Sequence, residues 1–164
     1  MALAIFGMFG LGLYMVELTY YDAWYKGSLD LHKSVGMVIF VLWLLRLIWR
    51  MNNETPDELP GPFWEQLLAR LMHVALYAVM LALMISGFLI STADGRSIDV
   101  FGLVPVPALP WRVENQEDIA GEIHEWLAWG LMALVSLHAV AAVKHQWLNK
   151  DGGLMRMLRV TQKS

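Results

Sequence analysis

Four apolar stretches, residues 1–19, 31–49, 71–90 and 119–145, occupy most of this 164-residue chain. Each approaches or exceeds the roughly 20 mostly apolar residues that a membrane-crossing helix needs. Composition agrees: 57% of residues are hydrophobic and 16% charged, well away from the globular average. The expected fold class is all-α, an integral membrane four-helix bundle in a single domain over residues 1–164, with helices at about 1–19, 31–49, 63–91 and 119–147. The first stretch lacks a positive leading region and a small-x-small cleavage pattern, so it reads as a spanning helix, not a signal peptide. Its first residue already lies in apolar sequence, and the expectation is a first helix truncated at its N-terminus.

Cysteine is absent, which excludes disulfides, thiolate-held haem, cysteine-bound iron–sulfur clusters and covalently attached c-type haem. A bound metal must then take His, Met, carboxylate or backbone ligands. The net charge of −3, without a basic run, gives no footprint for nucleic acid. The expected surroundings are membrane lipid.

The first connection, "YYDAWYKGSLD", is aromatic, as suits the headgroup level, and Asp30 is the expected N-cap of the second helix. A Pro-rich break precedes "FWEQLLAR", whose amphipathic turns are expected at the interface ahead of the third span. The third connection, residues 93–118, holds Pro105, Pro107, Pro110, Phe101 and Trp111 and is expected to fold over the bundle mouth. Arg46, Arg50, Arg70, Lys144, Lys150, Arg156, Arg159 and Lys163 border the second connection and the C-terminal tail, against Lys26, Lys33, Arg96 and Arg112 on the other side. This asymmetry predicts a multi-pass membrane protein with both termini cytoplasmic.

The fourth stretch carries His124, His138 and His145, spaced 14 and then 7 residues apart. Fourteen helical residues fall about 40° short of a whole number of turns and rise about 21 Å, so these rings share a face at graded depths. Gly130, Ala141 and Ala142 leave room beside them for a bulky group. His32, expected in the first turn of the second helix, lies at the depth of His124. Two imidazoles at one depth on facing helices can hold one iron between them, and Gly36 removes a side chain where a flat macrocycle would approach. Zinc is the rival metal, but its ligands must converge, whereas these histidines are strung along the membrane normal. His138 needs a second ligand, and the first helix offers no obvious one. His73, near Arg70, reads as an interfacial histidine ahead of a ligand or quinone contact. His145, between Lys144 and Trp147, is balanced between a surface position and proton handling.

With "LDLHKSVGMVIFVLWLLRLIWR", "LMHVALYAVMLALMISG" and "HEWLAWGLMALVSLHAVAAVKHQW", the chain resembles the bacterial cytochrome b561 family over nearly its whole length. These are di-haem b-type membrane cytochromes related to the cytochrome b subunit of nickel-iron hydrogenase, and some are superoxide oxidases. The resemblance implies haem b and ubiquinone as cofactors. It implies His32 and His124 as the axial pair of an outer haem, His138 as a ligand of an inner haem, and His145 near a quinone site. The family's first helix opens on a His-Trp pair that supplies the other inner ligand, and nothing here corresponds. The inner haem would then be five-coordinate at His138, take His73, Met1 or Met8, or be lost. The implied function is electron transfer between an outer-face donor and a quinone at the cytoplasmic face. Superoxide:ubiquinone oxidoreductase activity is one form of it, with Lys33, Arg96 and Arg112 drawing the anion. The alternative is a membrane anchor relaying electrons from a partner dehydrogenase or hydrogenase.

Overall fold

The computed structural model describes residues 1–53, 62–111 and 113–147, the side chains of residues 145 and 146 excepted. Its elements in chain order are α1 (Ala2–Val16), α2 (Tyr25–Asn52), α3 (Phe63–Ser91), β1 (Ile98–Val100), β2 (Val104–Val106) and α4 (Gln116–Trp147). The all-α membrane reading holds. Three helices are long and apolar enough to cross a bilayer, Tyr25–Asn52, Phe63–Ser91 and Gln116–Lys144. The first stretch forms a 15-residue apolar helix, about 22 Å long against a hydrocarbon core of about 30 Å.

The described residues fall into two compact units. One is drawn from residues 1–53, 81–111 and 113–128, the other from residues 62–80 and 129–147. In the first unit, α1 ends at Val16 and the chain turns through Thr19 and Asp22. The Thr19 backbone N–H and its hydroxyl both donate to the Asp22 carboxylate at 2.7 Å. These two donors hold the Asp22 carboxyl below the usual carboxylate range. Helix α2 then begins at Tyr25, six residues before the expected start. Asp30 is therefore not its N-cap: it lies inside the helix and pairs with Lys33 one turn on, at 3.1 Å. The N-cap is Trp24, which makes no side-chain capping bond.

The third connection contains an antiparallel hairpin that patterning did not foresee, with Ile98 opposite Val106 and Val100 opposite Val104. Its tip places Phe101 at φ 52° and Gly102 at φ 68°. Two successive positive φ values match the twist of a tight hairpin, and Gly102 adopts one without penalty. Phe101 costs about 1–2 kcal/mol in that conformation. An outside bond helps hold it there: the Phe101 N–H donates to the buried Ser34 hydroxyl on α2 at 2.9 Å.

Burial in this unit suits a lipid solvent. Ser28, Ser34, Ser86 and Thr92 are buried, beside Ile39, Trp43, Ile98 and Ala120, while Leu45 and Trp126 are exposed. Small residues let helices approach closely where lipid already solvates the large apolar ones. The serine hydroxyls close back on their own helices, Ser28 on the Tyr25 carbonyl and Ser86 on the Leu83 carbonyl, both at 2.9 Å. In the second unit, the amphipathic start of α3 is tied to α4: Lys144 meets the Glu65 carboxylate at 2.8 Å and lies over the Trp64 ring.

Candidate functional site

His32 lies nearly two turns into α2, not in its first turn, because the helix starts early. In the first unit its ring meets that of His124 from α4, with centroids 6.3 Å apart and planes at 69°. Metal–imidazole bonds of about 2 Å on each side, plus the half-width of each ring, put the centroids of an axial pair about 6 Å apart. The observed separation fits one iron held between the two rings.

The surroundings of His124 decide which ring nitrogen is available. Its Nδ1 lies 3.0 Å from the Leu83 carbonyl oxygen and 3.0 Å from the Ser86 hydroxyl. A carbonyl only accepts, so Nδ1 carries the proton and Nε2 keeps its lone pair for a metal. This is the usual support for a ligating histidine, whose other ring N–H is given to a carbonyl or carboxylate. Its partner shows the complementary sign. His32 Nδ1 is buried with no hydrogen-bond partner among the described residues, an arrangement that costs free energy unless something is bound nearby. The donor set is two neutral imidazoles in apolar helices, which suits haem iron.

Two glycines make room for the imidazole rings themselves. A Cβ on Gly87 would stand 3.1 Å from His124 Cε1, and one on Gly12 would stand 3.5 Å from His32 Cε1. Gly36 instead faces the Met8 side chain of α1, and a Cβ on Gly130 would meet open space. Ser86, Gly87 and Gly12 were passed over in the sequence. The available signal was the Ser-Gly pair in an otherwise apolar span, where a hydroxyl and a missing side chain each need a reason.

In the second unit, His138 of α4 meets His73 of α3, with ring centroids 5.4 Å apart and planes at 63°. That separation is about 1 Å short of an axial span, so these rings touch edge to face. The sequence reading set His73 as an interfacial residue ahead of a ligand or quinone contact and kept it among the candidates for the missing inner ligand; the structure puts it against His138. The side chain of His145 and residue Arg112 lie outside the described residues.

A cavity of about 930 Å³ opens in the first unit, lined among others by Trp24, Asp30, Lys33, Arg96, Asp99 and Phe101. Its cations are paired, Lys33 with Asp30 and Arg96 with Asp94.

Comparison with known proteins places this geometry in context. Residues 1–159 match the family described as prokaryotic cytochrome b561. The chain is 45% identical over 159 residues to "Cytochrome b561 homolog 2" of Escherichia coli (strain K12), covering 96% of this chain and 84% of that one. It is 33% identical over 131 residues to "Cytochrome b561 homolog 1" of the same organism, covering 79% and 73%. It is 31% identical over 144 residues to the "Probable superoxide oxidase CybB" of Yersinia pestis, covering 84% and 77%. With its apolar helices and paired imidazoles, the chain belongs to the prokaryotic cytochrome b561 family, membrane electron-transfer proteins that carry b-type haem.

Proposed function

We propose that the chain carries single electrons through the membrane to a quinone, with His32 and His124 as the axial ligands of one haem and His138 as a ligand of a second. The observation that carries this reading is the His124 imidazole, its Nδ1 proton held by Leu83 and Ser86 and its other nitrogen left for iron, 6.3 Å between ring centroids from His32. Bound haem supplies one-electron carriage between ferric and ferrous iron. The chain's own residues do the rest. Leu83 and Ser86 keep the His124 proton on Nδ1, and Gly12 and Gly87 admit the rings. The apolar helices exclude water, so ring position and hydrogen bonding set the potential.

The 14-residue step from His124 to His138 along α4 leads toward the cytoplasmic end expected from the Lys and Arg asymmetry. Ubiquinone reduced there needs protons as well as electrons. An imidazole suits that proton transfer, and His145, next to Lys144 in the sequence, would supply it.

The donor follows from the other end. The relative named as a probable superoxide oxidase supports superoxide. The ion pairs of Lys33 and Arg96 oppose long-range steering of an anion toward the cavity, since each cation is offset by a carboxylate. This balance favours the anchor reading, in which a partner dehydrogenase or hydrogenase delivers the electron.

Proteoliposomes enclosing ferricyanide test the electron path. Added quinol is expected to reduce the trapped acceptor through the wild-type protein and to stop doing so with His138→Ala. An equal rate in the variant sinks the proposal. Rapid mixing of quinone-loaded protein with superoxide tests the donor: haem reduction slowed strongly by Lys33→Glu would restore the superoxide reading, and no dependence on Lys33 supports a protein donor.

A further inference from the structure

We infer that Ser86 is a positioning residue that sets the donor strength of His124, and through it the reduction potential of the haem at the His32–His124 site. The inference rests on the reading of His124 as an axial ligand. Ser86 is buried in the apolar span of α3, where a hydroxyl is costly unless its hydrogen-bonding capacity is used. Its proton is committed to the Leu83 carbonyl of its own helix at 2.9 Å. Its lone pairs therefore face His124 Nδ1, 3.0 Å away, as an acceptor. The Leu83 carbonyl lies at the same distance from Nδ1, so one N–H is shared between two oxygens.

Of these two acceptors, the carbonyl belongs to the backbone and would be present with any side chain at position 83. Ser86 is the side chain through which the sequence can alter the ring. A second acceptor on Nδ1–H draws that proton away from the imidazole and leaves Nε2 a stronger electron donor. A stronger donor stabilises the more highly charged ferric iron and lowers the potential. Gly87, the next residue, has its Cβ position 3.4 Å from the same Nδ1, so the backbone of α3 and the ring are pressed together and the Ser86 bond has little room to slip.

The test is a redox titration of the holoprotein, following the band of this haem, in Ser86→Ala, Ser86→Cys and Ser86→Thr. Ser86→Ala is expected to shift the equilibrium toward ferrous haem by roughly tenfold, the lower end of what lost support of a ligand costs, which for one electron is about 59 mV. Ser86→Cys, a weaker acceptor, is expected to shift it less, and Ser86→Thr, which keeps the hydroxyl, to leave it near wild type. The ferric low-spin EPR g-values should move in Ala and not in Thr. Haem retained in Ser86→Ala at an unchanged potential overturns the inference. If Ser86→Ala loads too little haem, equal potentials in Cys and Thr overturn it instead. Retention of this haem in His124→Ala would instead overturn the ligand reading on which the inference rests.

Discussion

The two histidine pairs use the same side chain in different settings. His32 and His124 stand 6.3 Å apart between ring centroids, with His124 fixed by a carbonyl and a hydroxyl. His73 and His138 stand 5.4 Å apart, in edge contact. The first separation fits two imidazoles with one metal between them, and the second is about 1 Å short of that. Two histidines near each other are thus not two equivalent sites: one pair leaves room for a metal between its rings, and the other closes ring on ring.

The largest expected effect is on haem content. His32→Ala or His124→Ala is expected to remove one haem per chain, measured by the pyridine haemochrome assay against protein concentration. An unchanged ratio would erase the distinction between the pairs. His138→Ala is expected to remove the other haem, whereas His73→Ala should keep it and move only its spectrum. Equal loss in both variants would show that His73 ligates after all.

Gly87 sharpens the first site by shape. Replacing Gly with Ala within a helix gains up to about 1 kcal/mol in propensity, but here the new Cβ would press on His124 at 3.1 Å, and overpacking costs about 1–3 kcal/mol. The steric term is expected to win. Gly87→Ala should lower the thermal midpoint of the holoprotein modestly, and Gly87→Val should abolish loading at that site while leaving the second haem. A stabilised Gly87→Ala protein would mean that the ring is free to move.

A smaller effect concerns the cover near this site. Ser34→Ala removes the acceptor of the Phe101 N–H and should cost about 1 kcal/mol, seen as faster amide exchange at Phe101. The smallest concerns pH. The Asp22 carboxyl is held below its unfolded range by Thr19, so its contribution is present above the unfolded pKa and fades as pH falls through the lowered value. Amide exchange at Thr19 should quicken over that acidic window and become independent of it in Asp22→Asn.

The histidines were legible because ionisable rings are expensive in apolar spans, and the pairing of His32 with His124 followed from depth. Their supports were harder to read. Ser86 is one hydroxyl in a long apolar run, and its relevance depends on which way its lone pairs point. Gly12 and Gly87 could not be told from Gly36 and Gly130 by residue type, since only the facing side chain gives a missing Cβ its meaning. The start of α2 was misplaced because Asp30 looks like a cap, and nothing local reveals that Thr19 and Asp22 have already turned the chain.

By itself, then, the sequence determined the solvent and the all-α class, because apolar length and helical period act without regard to contacts. The tertiary structure alone decided that Nδ1 of His124 is held, that Nδ1 of His32 has no such partner among the described residues, and that His73 touches His138. Those facts are distances between segments far apart in the chain, and a ring's protonation and donor strength depend on the atom placed opposite it.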